Sequence, residues 1–202
     1  LGNNIFYSVK ANSNLAIIKL MKNLGAGADV VSIGELKKVI HAGFHPDKII
    51  FEGVGKSKED LLLAVNQKIR IINVESIEEL NAINTIAKSI NVMVNIGVRL
   101  NPNIDGKTLD KISTGKKTNK FGIAIENVGS IKANLQNCKN LNLVAISCHI
   151  GSQIFDINIF KKVFNTMKKA AENFIESGFK ISHVDLGGGF GVQYKSDDPI
   201  VD

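Results

Sequence analysis

The sequence predicts an α/β protein built on a parallel sheet, and three observations predict it. Seven short segments rich in Ile and Val recur along the 202 residues. Six segments with helical spacing of apolar residues fall between them. None of the seven shows the strict polar alternation of a sheet with one wet face, so they read as strands buried on both faces. Strands alternating with helices form βαβ units, and these pair in parallel.

The elements follow in order. Ile5–Lys10 opens the series as a strand. Leu15, Ile18, Leu20, Met21 and Leu24 then have helical spacing, and Gly25 stops the run. Ala28–Ser32 is the second strand, and the helix Glu35–Ala42 ends at Gly43. Ile49–Glu52 is the third strand. Ser57-Lys58-Glu59-Asp60 opens the next helix with a cap and an acidic first turn. After the strand Ile69–Val74, Ser76 and Glu79 have capping-box spacing. Val92–Leu100 is the fifth strand and Asn127–Leu135 a helix. Leu143–Ile150 is the sixth strand. The long helix Ile157–Glu176 ends near Gly178, and Ile181–Leu186 is the seventh strand.

Two architectures compete. An open doubly wound sheet carries a phosphate fingerprint after its first strand, which is absent here. A (β/α)8 TIM barrel has eight strands over ~250 residues. Seven strands therefore read as an incomplete barrel, one partial domain over residues 1–202. The chain starts with Leu1 and enters a strand almost at once, as a piece of a longer protein would.

Composition narrows the function classes. With 44% hydrophobic and 22% charged residues, the chain is neither collagenous nor disordered. No apolar run approaches the ~18 residues of a membrane span, and residues 1–10 do not read as a signal peptide. A cytoplasmic location is the default expectation. The two cysteines, Cys138 and Cys148, give neither a disulfide framework nor zinc spacing. The formal charge of +6 comes from Lys spread along helices, with only Arg70 and Arg99 besides. Aromatics are 6%, so the Lys-Arg-aromatic clustering of a nucleic-acid face is missing.

Three glycine segments invite nucleotide readings. Gly53-Val54-Gly55-Lys56-Ser57 resembles the end of a P-loop, but Ile50 stands where the first Gly is required. Gly25-Ala26-Gly27 follows a helix, the wrong order for a dinucleotide fingerprint. Gly187-Gly188-Gly189-Phe190-Gly191 follows a strand directly, where bare backbone N–H groups can wrap an anion. It reads as a phosphate cradle or as a tight packing turn.

Several side chains fall at strand ends. Lys10 closes the first strand; it is a surface lysine or, if partly desolvated, a nucleophile toward a carbonyl. His149 lies at the end of the sixth strand, on one face with Ser147 and Gly151 by alternation, with Ser152 just beyond. It is a core histidine or a functional one; no His or Cys spacing supports a metal. Arg99, rare in a Lys-rich chain, suits a bidentate anion contact. Asp29 and Glu35 flank the end of the second strand, and Glu35 also suits the first turn of a helix. Asp185 precedes the glycine run and either orients that loop or caps it. Lys111–Gly122 is a polar loop. In a barrel the C-terminal strand ends form the active-site face. A lysine, an anion cradle and a flat ring partner, His149, together describe pyridoxal 5'-phosphate: aldehyde, phosphate and ring.

Five segments carry a resemblance. They are Tyr7–Asn12, Gly25–Ser32 with Glu35, Lys111–Gly115 with Asn119–Ile123, His149–Gln153 and Asp185–Gly191. In order and spacing they resemble the diaminopimelate decarboxylases, pyridoxal-phosphate enzymes whose barrel is of the alanine racemase type. The resemblance implies that Lys10 binds the cofactor aldehyde, that His149 stacks on its ring, and that Ser152 with Gly187, Gly188 and Gly189 holds its phosphate. It implies Arg99 near the phenolic oxygen, and Asp29 and Glu35 as supporting carboxylates. Lys111–Gly122 resembles the family's active-site loop. The implied reaction is decarboxylation of meso-2,6-diaminopimelate to L-lysine, by a homodimer. The family's Glu-x-Gly-Arg segment, Cys-Glu-Ser segment and C-terminal β domain are expected beyond Asp202. A chain ending there is expected to fold poorly, because two strand edges stay open. Alternatives in the same fold are a decarboxylase for ornithine, arginine or carboxynorspermidine, and a non-catalytic pyridoxal-phosphate carrier.

Overall fold

Every expected strand and helix forms, with most strands shorter than the apolar runs that announce them. A computed structural model describes residues 5–106, 121–196 and 199. The chain divides into two compact units, residues 1–97 with 137–142, and residues 98–136 with 143–202.

The first unit holds β1 (Phe6–Ser8), β2 (Gly27–Val30), β3 (Ile49–Phe51), β4 (Ile71–Val74) and the start of β5 (Val94–Asn101), hydrogen-bonded in that order. β1 to β4 are parallel, with Ser8 opposite Asp29, Val30 opposite Phe51 and Ile50 opposite Ile71. Ala28, Val30, Ile49, Phe51 and Ile71 are buried, as a sheet covered on both faces requires. The covering helices are α1 (Leu15–Asn23), α2 (Ile33–His41), α3 (Lys58–Asn66) and α4 (Ile77–Ser89). They bury Ile18, Leu36, Val39, Leu61, Leu80 and Ile83.

The caps show where local sequence rules hold. Asn14, Ser32, Ser57 and Ser76 each accept a backbone N–H of the helix they start. The complete capping box is at Ser57 and Asp60. At Ser76 the expected reciprocal bond is replaced: Glu79 Oε2 accepts the N–H of Glu75, and its Oε1 meets Lys56. A buried ammonium competes successfully for that carboxylate because a charge-assisted bond is the stronger one.

The second unit holds the rest of β5, then β6 (Ile123–Ala124), most of α5 (Val128–Asn137) and of β7 (Leu141–Ser147), α6 (Ile157–Glu176) and β8 (His183–Asp185). Its hydrogen-bonded order is β5-β7-β8, with β6 paired to β5 through Leu100 and Ile123. β7 and β8 are parallel, with Ser147 opposite Asp185. α6 buries Ile159, Val163, Met167, Ala170, Ala171 and Phe174, one helical stripe.

Three placements differ from the sequence reading. β6 is an additional strand, too short to leave a periodic signal. β1 ends at Ser8, and Lys10 sits in the 3-10 turn Val9–Ala11 that follows. β7 ends at Ser147, so strand alternation does not fix the face of His149. No described helix is long and apolar enough to cross a membrane.

Lys56 gives the first unit its most demanding polar contact. Its buried Nζ donates to Gly53 O (2.7 Å), Asn73 O (2.7 Å) and Glu79 Oε1 (2.6 Å). It thereby ties the ends of β3 and β4 to α4. Removing one partner of a buried pair strands the other charge, at about 3–5 kcal/mol. The exposed Lys168–Glu172 pair is 3.8 Å apart and of a class that contributes at most about 0.5 kcal/mol. Urea unfolding should therefore show a large loss for Lys56→Met and almost none for Lys168→Ala; equal losses would refute the tie.

Candidate cofactor site

In the first unit, the end of β1 leads into the turn that carries Lys10. Tyr7 OH donates to Asn12 O (2.9 Å), and Asn12 Oδ1 accepts the N–H of Asn14 (3.0 Å). These bonds fix the turn between β1 and α1, and the turn packs on β2. Val9 is buried while Lys10 is exposed. Of the two readings of Lys10, the described residues leave it a surface lysine. The strand stops two residues early and releases the side chain to solvent.

Asp29 sits in β2 opposite Ser8, whose Oγ donates to Asp29 Oδ2 at 2.6 Å. Glu35 stands in the first turn of α2, where its Oε2 accepts the N–H of Val31 (2.8 Å). Helix-start stabilisation is therefore one role of Glu35. At the ends of β3 and β4, Asn73 Nδ2 donates to Glu52 Oε1. The P-loop-like segment is explained in the same place: its Lys56 points back to Gly53 O, not toward a ligand.

In the second unit, Arg99 lies buried in β5 with its guanidinium 5.1 Å from the ring centre of Phe121, a cation–π contact. His149 follows β7, half-buried. The loop after β8 closes on the loop after β7. The N–H of Ile154 donates to Gly189 O and the N–H of Gly191 to Ile154 O, both at 2.9 Å. Phe160 stacks on Phe190 at 4.2 Å.

Glycine is required at two points of this contact. Gly187 has φ +72, and a Cβ there would stand 2.6 Å from His149 Nδ1 and 2.8 Å from Cys148 O. Gly189 has φ +89, and its Cβ would overlap the carbonyl oxygen of Gly151 and lie 3.3 Å from the Cα of Ser152. Positive φ and missing space both exclude other side chains. Gly188 between them faces open space. Among the described residues, the N–H groups of Gly188 and Gly189 and the hydroxyl of the exposed Ser152 engage no protein acceptor. Donors beside an open glycine fit a phosphate, so this cradle fits the cofactor that the sequence implies.

Asp185 anchors the run. Its Oδ1 accepts the N–H of Gly187 (2.7 Å), and its carbonyl accepts the N–H of Cys148 (2.9 Å). Burial pushes its carboxyl above the ordinary carboxylate value, with the Gly187 N–H and the charge of Arg99 pulling it back down. Opposite it, the buried Ser147 Oγ has no hydrogen-bond partner among the described residues.

Lys10, Asp29 and Glu35 are thus collected by the first unit, and Arg99, His149, Ser152 and Gly187–Gly189 by the second. The Lys111–Gly122 loop lies outside the described residues up to its last two, Phe121 and Gly122. Sequence reasoning gave no role to Phe121, Glu52 or Asn73. An aromatic two positions before a strand was the available signal for Phe121. Glu52 and Asn73 pair across strands, so no local pattern announces them. Among the described residues no group of three metal-ligating side chains gathers.

Comparisons with known proteins identify the family and the fold. The family described as pyridoxal-dependent decarboxylase, pyridoxal binding domain, matches residues 2–202. A diaminopimelate decarboxylase of Helicobacter pylori strain J99 is 42% identical over 196 residues, covering 97% of this chain and 48% of that protein. The crystal structure of diaminopimelate decarboxylase from Helicobacter pylori complexed with L-lysine superposes with a TM-score of 0.90 at 40% identity, covering 97% of this chain and 50% of that one. The M. jannaschii diaminopimelate decarboxylase in co-complex with L-lysine gives 0.87 at 41% identity, covering 96% and 45%. The chain spans about half the length of the curated relatives it matches. These structures bear out the expected fold class, a pyridoxal-phosphate-binding barrel of which this chain carries part.

The cradle and its anchor can be tested separately. Titration with pyridoxal phosphate should show Gly188→Ala near the parent affinity and Gly189→Ala without saturable binding; equal behaviour would refute the cradle. For Asp185, a raised carboxyl holds its proton more tightly folded than unfolded. Its contribution to stability therefore grows as pH falls from above the raised value toward the ordinary one. The melting-temperature advantage of Asp185→Asn over the parent should shrink as pH falls from above the raised value toward the ordinary carboxylate value. An advantage that stays constant would contradict the burial argument.

Proposed function

The chain belongs to the pyridoxal-dependent decarboxylases, as their pyridoxal-binding domain, and on that premise we propose that its parent protein decarboxylates meso-2,6-diaminopimelate to L-lysine, the last step of lysine biosynthesis. The cradle at Gly187–Gly189 carries the cofactor reading, because its two close approaches admit only glycine and leave backbone donors open. The substrate reading rests on the diaminopimelate decarboxylases at about 40% identity, two of which were crystallised with L-lysine.

Bound pyridoxal 5'-phosphate supplies an electron sink for the carbanion left when the α-carboxylate departs as CO2. The chain's own residues then have these roles. Lys10, exposed on a turn pinned by Tyr7 and Asn12, offers its amine to the cofactor aldehyde. His149, packed on Gly187, offers a ring face to the pyridine. Gly188, Gly189 and Ser152 donate to the phosphate. Arg99, braced by Phe121, faces the phenolic oxygen. Asp29, oriented by Ser8, and Glu35 are supporting carboxylates.

Residues 1–202 form part of the barrel domain in this proposal, and the C-terminal β domain lies beyond Asp202. A homodimer, which rests on the family resemblance, and a cytoplasmic location, the default expectation, complete the proposal. The test is CO2 release by the complete parent protein with pyridoxal phosphate. Release should occur from meso-diaminopimelate, and from L-ornithine, L-arginine and L-lysine at no more than a few per cent of that rate. Lys10→Ala should abolish it. Faster release from ornithine or arginine would overturn the substrate, and cofactor binding without release would favour a carrier.

A further inference from the structure

The glycine run is tied at both ends. Gly189 is held by Ile154, through a backbone bond that any residue could make. Gly187 is held by a side chain, the carboxylate of Asp185 at 2.7 Å. Gly187 in turn abuts His149, since a Cβ on Gly187 would stand 2.6 Å from Nδ1 and 3.2 Å from the His149 Cβ. One carboxylate therefore fixes the start of the cradle and, through Gly187, one side of the His149 ring.

Electrostatics alone argues against an acid at this place. A carboxylate beside a phosphate cradle repels the ligand, and partial burial adds a desolvation cost. Arg99 offsets part of that cost. Such a charge is tolerable where its hydrogen bond to the loop is worth more than the repulsion it brings.

We propose that Asp185 is the positioning residue of the phosphate cradle: its Oδ1, as acceptor of the Gly187 N–H, aims the Gly188 and Gly189 amides at the phosphate and seats Gly187 against His149. This inference rests on the pyridoxal-phosphate reading above. It assigns Asp185 no contact with the cofactor.

The complete parent protein and its Asp185 variants would be titrated with pyridoxal phosphate and with pyridoxal, which lacks only the phosphate. The ratio of the two affinities isolates the cradle from the rest of the site. Asp185→Ala removes the acceptor, and the ratio should fall roughly tenfold, the worth of a hydrogen bond to a charged group. Asp185→Asn keeps an acceptor at Oδ1 and should stay within about threefold of the parent. If the Ala variant does not fold, Asp185→Glu keeps the charge and displaces the acceptor by one methylene; its ratio should also fall. A ratio unchanged in the Ala or Glu variant overturns the inference. So does a rise in the Ala and Asn variants, which charge repulsion alone would give, or an equal fall in both. A parent that binds neither compound fails the pyridoxal-phosphate reading and this inference with it. A parent that binds both without regard to Asp185 fails this inference alone.

Discussion

Parallel pairing is the constraint on which the remaining structure depends. Strands that run the same way deliver every following loop to the same edge of their sheet. Within the first unit, β1 to β4 bring the Lys10 turn, Asp29, Glu52 and Asn73 to C-terminal strand ends. Within the second, β7 and β8 do so for His149, Ser152 and the glycine run. The covering helices make the pairing possible, because only a sheet buried on both faces repays the long crossovers it needs. The chemistry is local to loops, but its location is dictated by strand direction.

The polar contacts at those ends follow one logic in both units. Charge wholly or partly removed from water is placed where it holds backbone, and it is compensated by a neighbour. Lys56 satisfies two carbonyls and a carboxylate, so a buried ammonium is fully engaged. Asp185 accepts the N–H of Gly187 and lies in the field of Arg99. A buried pair seldom adds net stability over an apolar equivalent. The gain is definition: the strand ends and the glycine loop are held in one arrangement, which a ligand-binding edge needs and a hydrophobic contact does not specify.

Local patterns in the sequence revealed the elements well, because Ile-Val runs and helix caps are short-range signals. They failed where a distant partner decides. β1 stops at Ser8 because Tyr7 and Asn12 close a turn, a contact that periodicity does not express. β6 exists because Ile123 pairs with Leu100, 23 residues earlier in the chain. Glu79 leaves its capping role for Lys56, 23 residues earlier. Among site residues, the glycine run was legible because three bare positions after a strand have few uses. Asp185 was left between two roles, and the Gly187 bond, two residues away, supports loop orientation. The orientation of Lys56, inward to Gly53 rather than outward to a phosphate, was not legible in its motif.

The central claim is that this domain holds pyridoxal phosphate covalently through Lys10. The direct measurement is borohydride reduction of the complete protein with its cofactor, followed by proteolysis and mass mapping. The account predicts a pyridoxyl adduct on the peptide that contains Lys10. An adduct on any other lysine, or none on a protein saturated with cofactor, would contradict it.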